Sequence, residues 1–227
     1  MKPLILLHGA LGAEQDLIPL IEYLSNRTVI TYEFKGHGKK AINVSSFTME
    51  DLVQDFSNFL DDKQLDSVDI FGFSMGGYIA LSLAQNDQRV DRIVTLGTKL
   101  AWSPEFAQGE QKKLVPDVIE AKVPKFARYM NALHGDQWKP LMSETASMML
   151  GLGENPILNS ESIPTIQNTV VVMRGGLDEM VTREESESVA NMLPNGRYKE
   201  LEGLIHPIAR LDPELIANII CEALDAY

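Results

Sequence analysis

The stretch Asp69-Ile70-Phe71-Gly72-Phe73-Ser74-Met75-Gly76-Gly77 ends an apolar run in Gly-x-Ser-x-Gly, and a helical pattern begins directly after it. This order is typical of a nucleophile elbow, in which a serine occupies a strained turn between strand and helix and its hydroxyl points into open space. A β-carbon at Gly72 or Gly76 would crowd so tight a turn. Because glycine and serine also populate ordinary turns, the assignment of Ser74 as a nucleophile depends on an acid, a base and an oxyanion donor elsewhere.

The composition favours one domain that acts on a small molecule. A chain of 227 residues is long enough for one substantial core, and we expect a single domain over residues 1–227. No apolar run approaches the roughly 20 residues that span a bilayer. The net charge of −12 disfavours nonspecific attraction to nucleic acid and to anionic membranes. We therefore expect a small-molecule substrate, no nucleic-acid or membrane partner, and a monomer or homodimer.

The cysteine and histidine content favours a cytoplasmic protein without a metal or cofactor. The single cysteine, Cys221, lies in an apolar helical pattern and cannot form an intrachain disulfide, which fits a reducing compartment. The first apolar run has only four residues and indicates a strand rather than a signal peptide. The four histidines are far apart in sequence and have no metal-ligand spacing.

Six apolar or β-branched runs alternate with helical patterns, which predicts a parallel α/β sheet with right-handed crossovers. The predicted strands are residues 4–7, 28–32, 68–71, 92–96, 169–173 and 197–201. Helices are expected over residues 17–24, after Thr48, after Ser74, after Thr182 and from Asp212-Pro213 onward. Thr182 and Glu185 have the spacing of a capping box.

The alternation is interrupted between the fourth and fifth strands. Residues 103–164 contain helical patterns, Trp138 and several methionines, but no convincing strand. The apolar residues of such an insertion need a surface to cover, so we expect a helical lid rather than a second independent domain.

The sequence resembles the α/β-hydrolase family through four motifs in the family's order. These are His8-Gly9-Ala10-Leu11-Gly12, Gly72-Phe73-Ser74-Met75-Gly76-Gly77, Gly175-Gly176-Leu177-Asp178 and Gly203-Leu204-Ile205-His206-Pro207. The resemblance implies a six-stranded sheet with the order 2-1-3-4-5-6. It also implies a ligand site at the switch point between strands 1 and 3.

The resemblance also implies roles for individual residues. Ser74 would attack a carbonyl, and His206 would take the serine proton and return it to the leaving group. Asp178 would bond the other ring nitrogen and fix the tautomer. The backbone amides of Ala10 and Met75 would bind the oxyanion.

Other residues have competing interpretations. Glu179 is adjacent to Asp178 and is therefore a competing candidate for the acid. The family also uses a second location for the acid, but the residues there are Gly97-Thr98-Lys99, which offer no carboxylate. His8 and His37 are expected to make hydrogen bonds that structure loops, and His134 to be a solvated histidine at a helix end.

Some of the family's ordinary features are replaced in this sequence. Glu33 and Lys39-Lys40 stand where the family commonly has an aspartate and a small hydroxyl residue.

Candidate substrate contacts are Leu11, Trp138, Met142 and Met149, since adaptable methionines suit an apolar acyl group.

The sequence predicts a serine hydrolase that cleaves a small carboxylic ester or thioester through an acyl-enzyme. One alternative keeps the triad but uses it as a lyase or for carbon–carbon bond hydrolysis. Another alternative is a noncatalytic binding module on the same fold, since a fold does not fix a function.

Overall fold

Six parallel strands form the sheet in the computed structural model, which describes residues 2–40, 42 and 47–226. The strands are β1 (Leu4–Leu7), β2 (Val29–Tyr32), β3 (Val68–Phe73), β4 (Val90–Leu96), β5 (Thr169–Gly175) and β6 (Gly196–Leu201). Their order is β2-β1-β3-β4-β5-β6 and all five pairings among them are parallel. The predicted fold class and strand order are confirmed.

Helices cover both faces of the sheet. In chain order they are α1 (Ile18–Ile21), α2 (Met49–Asp62), α3 (Met75–Ala84), α4 (Pro104–Gln111), α5 (Pro116–Lys122), α6 (Pro124–His134), α7 (Trp138–Glu154), α8 (Arg183–Met192) and α9 (Pro213–Asp225). Helices α4 to α7 lie in the expected insertion between β4 and β5.

The alternation of side chains along the strands divides the core into two layers. Ile5 and Leu7 of β1 belong to the cluster that contains residues of α2, α3 and α8. Leu4 and Leu6 belong to the cluster on the opposite face, where Ile220 of α9 packs. All four side chains of β1 are fully buried, as expected for a strand covered on both faces.

The helix expected over residues 17–24 is not continuous. The structure has the four-residue helix α1 between two 3₁₀ turns, Glu14–Asp16 and Glu22–Leu24. Pro19 lies in the first turn of α1, where an amide has no helical partner, so the proline fits the start of this short helix.

The predicted helix starts at Thr48 and Thr182 are confirmed by their capping geometry. The Thr48 hydroxyl accepts from the Asp51 amide at 3.1 Å, and the Thr48 amide donates back to the Asp51 carboxylate at 3.0 Å. Thr182 and Glu185 make the same reciprocal pair at the start of α8. Asp212 caps α9 by accepting from the Glu214 amide.

Helix α3 begins in close contact with β1 and β3. A β-carbon at Gly76 would lie 2.4 Å from the carbonyl oxygen of Leu7, and one at Gly72 would lie 2.4 Å from the amide nitrogen of Gly77. Both obstacles are backbone atoms, so no side-chain rotation relieves the clash. The two glycines allow the first turn of α3 to pack directly on the strands.

We expect Gly76→Ala to destabilise the protein strongly and Gly151→Ala to stabilise it slightly. Gly151 lies in α7 with nothing within 4 Å of an added β-carbon, so alanine there gains about 0.5–1 kcal/mol of helix propensity. Urea unfolding followed by circular dichroism measures both free energies of unfolding. Equal effects of the two substitutions would contradict the close-packing explanation.

Candidate active site

Ser74 occupies a strained turn at the carboxyl end of β3. Its φ of 51° and ψ of −116° are rarely adopted by a residue with a side chain. The Ser74 amide donates to the Leu96 carbonyl at 2.8 Å, and the Thr98 hydroxyl donates to the Ser74 carbonyl at 3.0 Å. These bonds hold both sides of the strained residue against the end of β4.

His206 and Asp178 form a hydrogen-bonded pair in the loops after β6 and β5. Nδ1 of His206 lies 2.7 Å from Oδ2 of Asp178, and because an ionised carboxylate only accepts, Nδ1 carries the hydrogen. The other carboxylate oxygen accepts from the amides of Met180 at 2.8 Å and Val181 at 3.0 Å. In a neutral ring Nε2 is then free to accept a proton.

These donors keep the carboxyl of Asp178 ionised. Burial by itself raises the pKa of this group. The hydrogen bond and charge of His206, together with the amides of Met180 and Val181, outweigh burial, so the pKa lies below its ordinary value of 3.8.

Ser74 and His206 line one cavity of about 210 Å³. Among the described residues no hydrogen bond joins their side chains, and catalytic hydrogen bonds are often long before substrate binds. Gly97, at the end of β4, has a φ of 62°, and a β-carbon there would lie 3.1 Å from Oδ2 of Asp178. The absence of that β-carbon lets the pair approach the serine turn.

The loop after β1 holds the Ala10 amide in a fixed direction. The Gly9 carbonyl accepts from Nδ1 of His8 at 2.8 Å and from the Gly12 amide at 3.1 Å. In a trans peptide the next amide points opposite to this carbonyl, so the Ala10 N–H is directed away from both donors. Ala10 lines the cavity, and none of the hydrogen bonds among the described residues uses its amide.

The Met75 amide is the second predicted oxyanion donor. Met75 is the first residue of α3, where amides have no partner within the helix and the helix dipole favours negative charge. Ala10 and Met75 both line the cavity beside Ser74. A β-carbon on Gly9 would lie 3.1 Å from the Ser74 β-carbon, which shows how closely the loop approaches the serine.

Comparison with known proteins identifies the family. Residues 2–137 match the family model described as alpha/beta hydrolase fold. This chain belongs to the α/β hydrolase fold family. The sequence-based expectation of an α/β-fold hydrolase is therefore confirmed at the level of the family.

One relative matches nearly the whole hydrolase chain. A Bacillus subtilis (strain 168) protein named "Putative 2-succinyl-6-hydroxy-2,4-cyclohexadiene-1-carboxylate synthase" is 25% identical over 249 residues, which cover 98% of this chain and 90% of the relative.

Solved structures with the same fold include proteins named as an esterase and an enol-lactonase. A thermophilic esterase from Thermogutta terrifontis has a TM-score of 0.79 at 20% identity, covering 100% of this chain and 90% of that chain. The enol-lactonase from Burkholderia xenovorans LB400 has a TM-score of 0.77 at 20% identity, covering 99% and 91%. At these identities the likeness shows the shared fold.

The cavity wall of this hydrolase is mainly apolar and rich in methionine. The apolar side chains that line it are Ala10, Leu11, Met49, Met75, Trp102, Leu114, Met148, Met149, Leu152 and Met180. Leu11 and Met149 are among the predicted substrate contacts. Met180 and Lys99 also line the cavity but were not predicted from the sequence. Met180 follows Asp178 by two residues and Lys99 follows β4, so their positions just after strands are the signal that could have identified them.

Two predicted substrate contacts lie elsewhere. Trp138 and Met142 are buried in a separate cluster with Ala127 and Met130, and they do not line the Ser74 cavity. The expectation for these two residues is corrected, because their positions on α7 face the helices of the insertion. The cluster packs against Leu11 and so reaches the cavity only indirectly.

A buried ion pair lies at the edge of the cavity. Nζ of Lys99 is 2.5 Å from Oε2 of Glu185, and Oε1 of Glu185 accepts from the Leu100 amide at 3.1 Å. Removing one member would leave the other buried without its counter-charge, which is strongly destabilising. Tyr78 also lines the cavity, and burial raises the pKa of its phenol to about 12, so it stays neutral.

The remaining histidines structure the loops around Leu11. His37 Nε2 accepts from the Leu11 amide at 3.2 Å, and His134 Nε2 lies 3.0 Å from the Leu11 carbonyl. His134 is only 3% exposed, so its expected position in solvent is wrong. The expected loop-structuring role of His8 and His37 agrees with their hydrogen bonds. Sequence pattern could not reveal the burial of His134, because it depends on how α6 packs.

Two further features concern ions and membranes. Among residues 2–40, 42 and 47–226, no three His, Cys, Asp or Glu side chains form a group that could hold a metal ion. Within the described part of the chain, no helix combines the length and apolar character needed to cross a membrane.

We expect the protein to lose stability as the pH falls below about 6.5. Burial, the largest effect, lowers the pKa of His37 well below 6.5, and the nearby His8 acts in the same direction. The unfolded chain therefore binds more protons than the folded chain below this pH, and the free energy of unfolding decreases. Urea unfolding at several pH values between about 7.5 and about 5.5 measures the slope.

His37→Gln removes this titrating ring and is the control. The variant is expected to be less stable at neutral pH but to have a shallower dependence on pH. The same slope in both proteins would show that His37 does not cause the loss.

Proposed function

We propose that the protein is a serine hydrolase that cleaves a small carboxylic ester or thioester through an acyl-enzyme, with Ser74, His206 and Asp178 as its triad. One observation carries the proposal: the strained Ser74 and His206 line the same mainly apolar cavity, and His206 is hydrogen-bonded behind it to Asp178. A strained nucleophile, a histidine bonded to a buried carboxylate whose pKa is lowered, and a shared pocket are ordinary features of a catalytic site.

The arrangement supports a two-stage reaction. Oγ of Ser74 attacks the acyl carbon while Nε2 of His206 takes the hydroxyl proton, and Asp178 stabilises the resulting imidazolium. The oxyanion accepts from the amides of Ala10 and Met75. The carbonyl then re-forms, the bond to the alcohol or thiol breaks, and His206 returns the proton to that leaving group. Water, activated by His206, releases the acid in the same way.

The cavity supports a short apolar acyl group. Its volume of about 210 Å³ is below the roughly 300–1,000 Å³ of pockets for drug-sized ligands. Leu114, Met148, Met149 and Leu152 come from the insertion and cover one side of it. We also propose that residues 103–164 act as the lid over Ser74, and that methionine side chains adapt its inner surface to the acyl chain.

A fluorophosphonate probe is expected to label the wild type at Ser74. Ser74→Ala removes the nucleophile, so both labelling and turnover of a short-chain ester should fall to background, a loss of at least about 10⁴-fold. Peptide mass spectrometry locates the label. Undiminished hydrolysis by the variant would refute the assignment of Ser74.

A triad-dependent lyase or carbon–carbon bond hydrolase is the second candidate. It is favoured by the relative from Bacillus subtilis, which is named as a carboxylate synthase and matches 98% of this chain. Rapid quenching of an ester reaction followed by intact-protein mass spectrometry separates the candidates. An acyl adduct on Ser74 supports the ester hydrolase, and the absence of both an adduct and ester turnover supports the lyase.

Met149→Ala is expected to shift the preference of the enzyme toward longer acyl chains. Met149 lines the cavity, and its truncation leaves space that a longer chain fills. The measurement is kcat/KM over a series of esters of increasing acyl length. We expect the ratio of long-chain to short-chain kcat/KM to rise by roughly 10-fold.

Met142→Ala provides the matched control. Met142 lies on the same helix and is fully buried, but away from the cavity. It should lower the free energy of unfolding by about 2–5 kcal/mol without changing the order of preferred esters. If both variants changed the preference alike, the acyl group would not lie against Met149.

A further inference from the structure

We propose that His134 is a positioning residue for the oxyanion loop. Together with His37 it holds the backbone of Leu11, and through Leu11 it keeps the Ala10 amide directed at the site of reaction. This inference rests on the proposed function, because it requires the Ala10 amide to be an oxyanion donor.

The contacts of His134 define its tautomer. Nδ1 accepts from the Gly38 amide at 2.8 Å, and Nε2 lies 3.0 Å from the carbonyl of Leu11. An amide only donates and a carbonyl only accepts, so the ring is neutral and its hydrogen is on Nε2. Burial lowers the pKa of His134, which favours this neutral form. One ring thus links the loops after β1 and β2 to the end of α6.

His37 holds the other side of Leu11. Its Nε2 accepts from the Leu11 amide at 3.2 Å, and its Nδ1 lies 3.1 Å from the Lys35 carbonyl. The rings of His37 and His134 are 5.9 Å apart in an edge-to-face arrangement. The amide and the carbonyl of Leu11 are therefore both held by imidazole rings, one of which belongs to the insertion.

Leu11 needs such support because its backbone is strained. Its φ of 59° is in the left-handed region that residues with side chains rarely adopt. A conformation of this kind persists only where its surroundings fix it. The peptide that donates to His37 joins Ala10 to Leu11, so rotation of this peptide would also move Ala10. Trp138, Met142 and their cluster pack against the Leu11 side chain and support the same position.

The chain offers a residue that anchors the insertion nearby without touching Leu11. Nε2 of Gln137 donates to the carbonyls of Gly38 at 3.2 Å and Lys40 at 2.8 Å, and Oε1 accepts from the Ile42 amide at 3.1 Å. Gln137→Met removes these three bonds at nearly constant size. This variant weakens the attachment of the insertion but leaves the hydrogen bonds to Leu11 in place, so it shows whether attachment alone affects activity.

The experiment compares His134→Phe, His134→Gln and Gln137→Met with the wild type on a short-chain ester. His134→Phe keeps the ring volume and removes both hydrogen bonds, so we expect kcat to fall by about 10–100-fold, less than the complete loss of a donor. KM should stay within about twofold, since the effect is on the transition state. His134→Gln retains a donor for Leu11 and should recover a large part of kcat.

Gln137→Met should keep kcat within about twofold of the wild type. The proposal is overturned if His134→Phe retains the wild-type kcat. It is also overturned if Gln137→Met loses as much of kcat as His134→Phe does. Should His134→Phe fail to fold, His134→Leu, which also removes both hydrogen bonds, takes its place and is judged by the same two outcomes.

Hydrogen exchange measured by nuclear magnetic resonance gives a readout independent of activity. The Leu11 amide donates to His37, not to His134, so faster exchange there reports loosening of the loop itself. We expect its exchange to be at least about 10-fold faster in His134→Phe and unchanged in Gln137→Met. Unchanged Leu11 protection in His134→Phe contradicts the proposal.

The same experiment separates failure of this inference from failure of the proposed function. A wild type that neither labels at Ser74 nor turns over esters refutes the proposed function, and with it the catalytic part of this inference, whatever the exchange result. Labelling and turnover in the wild type, with no effect of His134→Phe, refute only the role of His134.

Discussion

The close contact between the first turn of α3 and the ends of β1 and β3 is the constraint on which the rest of the site depends. Gly76 lies against the Leu7 carbonyl and Gly72 against the backbone of Gly77, with no room for a β-carbon at either position. The chain must therefore reverse direction within a single residue, and Ser74 takes the strained φ of 51°. The same packing leaves the Met75 amide at the start of a helix, where no helical partner is available. Strain at the serine and a free amide beside it have one structural cause.

The end of β4 extends this constraint to Asp178 and His206. Leu96 and Thr98 bind the backbone of Ser74, while Gly97 between them presents no side chain to Asp178 and His206. The His206–Asp178 pair can thus lie directly beside the elbow. A buried carboxylate is costly unless its oxygens are bonded, and Asp178 meets this requirement with one imidazole and two amides. The loops after β5 and β6 supply these groups because parallel strands end at the same edge of the sheet.

The sequence allowed the sheet and the helix caps to be predicted, since both depend on local patterns. The strand order followed from resemblance to a family, and the Thr182–Glu185 cap followed from spacing alone. The burial of His134 and the position of Met142 were not predictable in this way. Met142 and Met149 are seven residues apart and share one face of α7, but about 10 Å along the helix axis separates them. Periodicity identifies a shared face, whereas packing of the whole insertion decides which turn meets the cavity.

The insertion connects the Ser74 cavity to the loop that carries Ala10. Leu11 belongs to both: its side chain lines the cavity, and its backbone is bonded by His37 and by His134 of α6. A change of side-chain size at Leu11 therefore alters the cavity. It also acts on the strained backbone of Leu11, which is next to the proposed oxyanion donor. Met149 lines the cavity from α7, and its backbone is part of a regular helix. Its size can vary while the backbone near Ser74 stays in place. For the proposed acyl substrate, preference is thus best separated from reactivity where the cavity wall comes from a helix rather than from the strained loop.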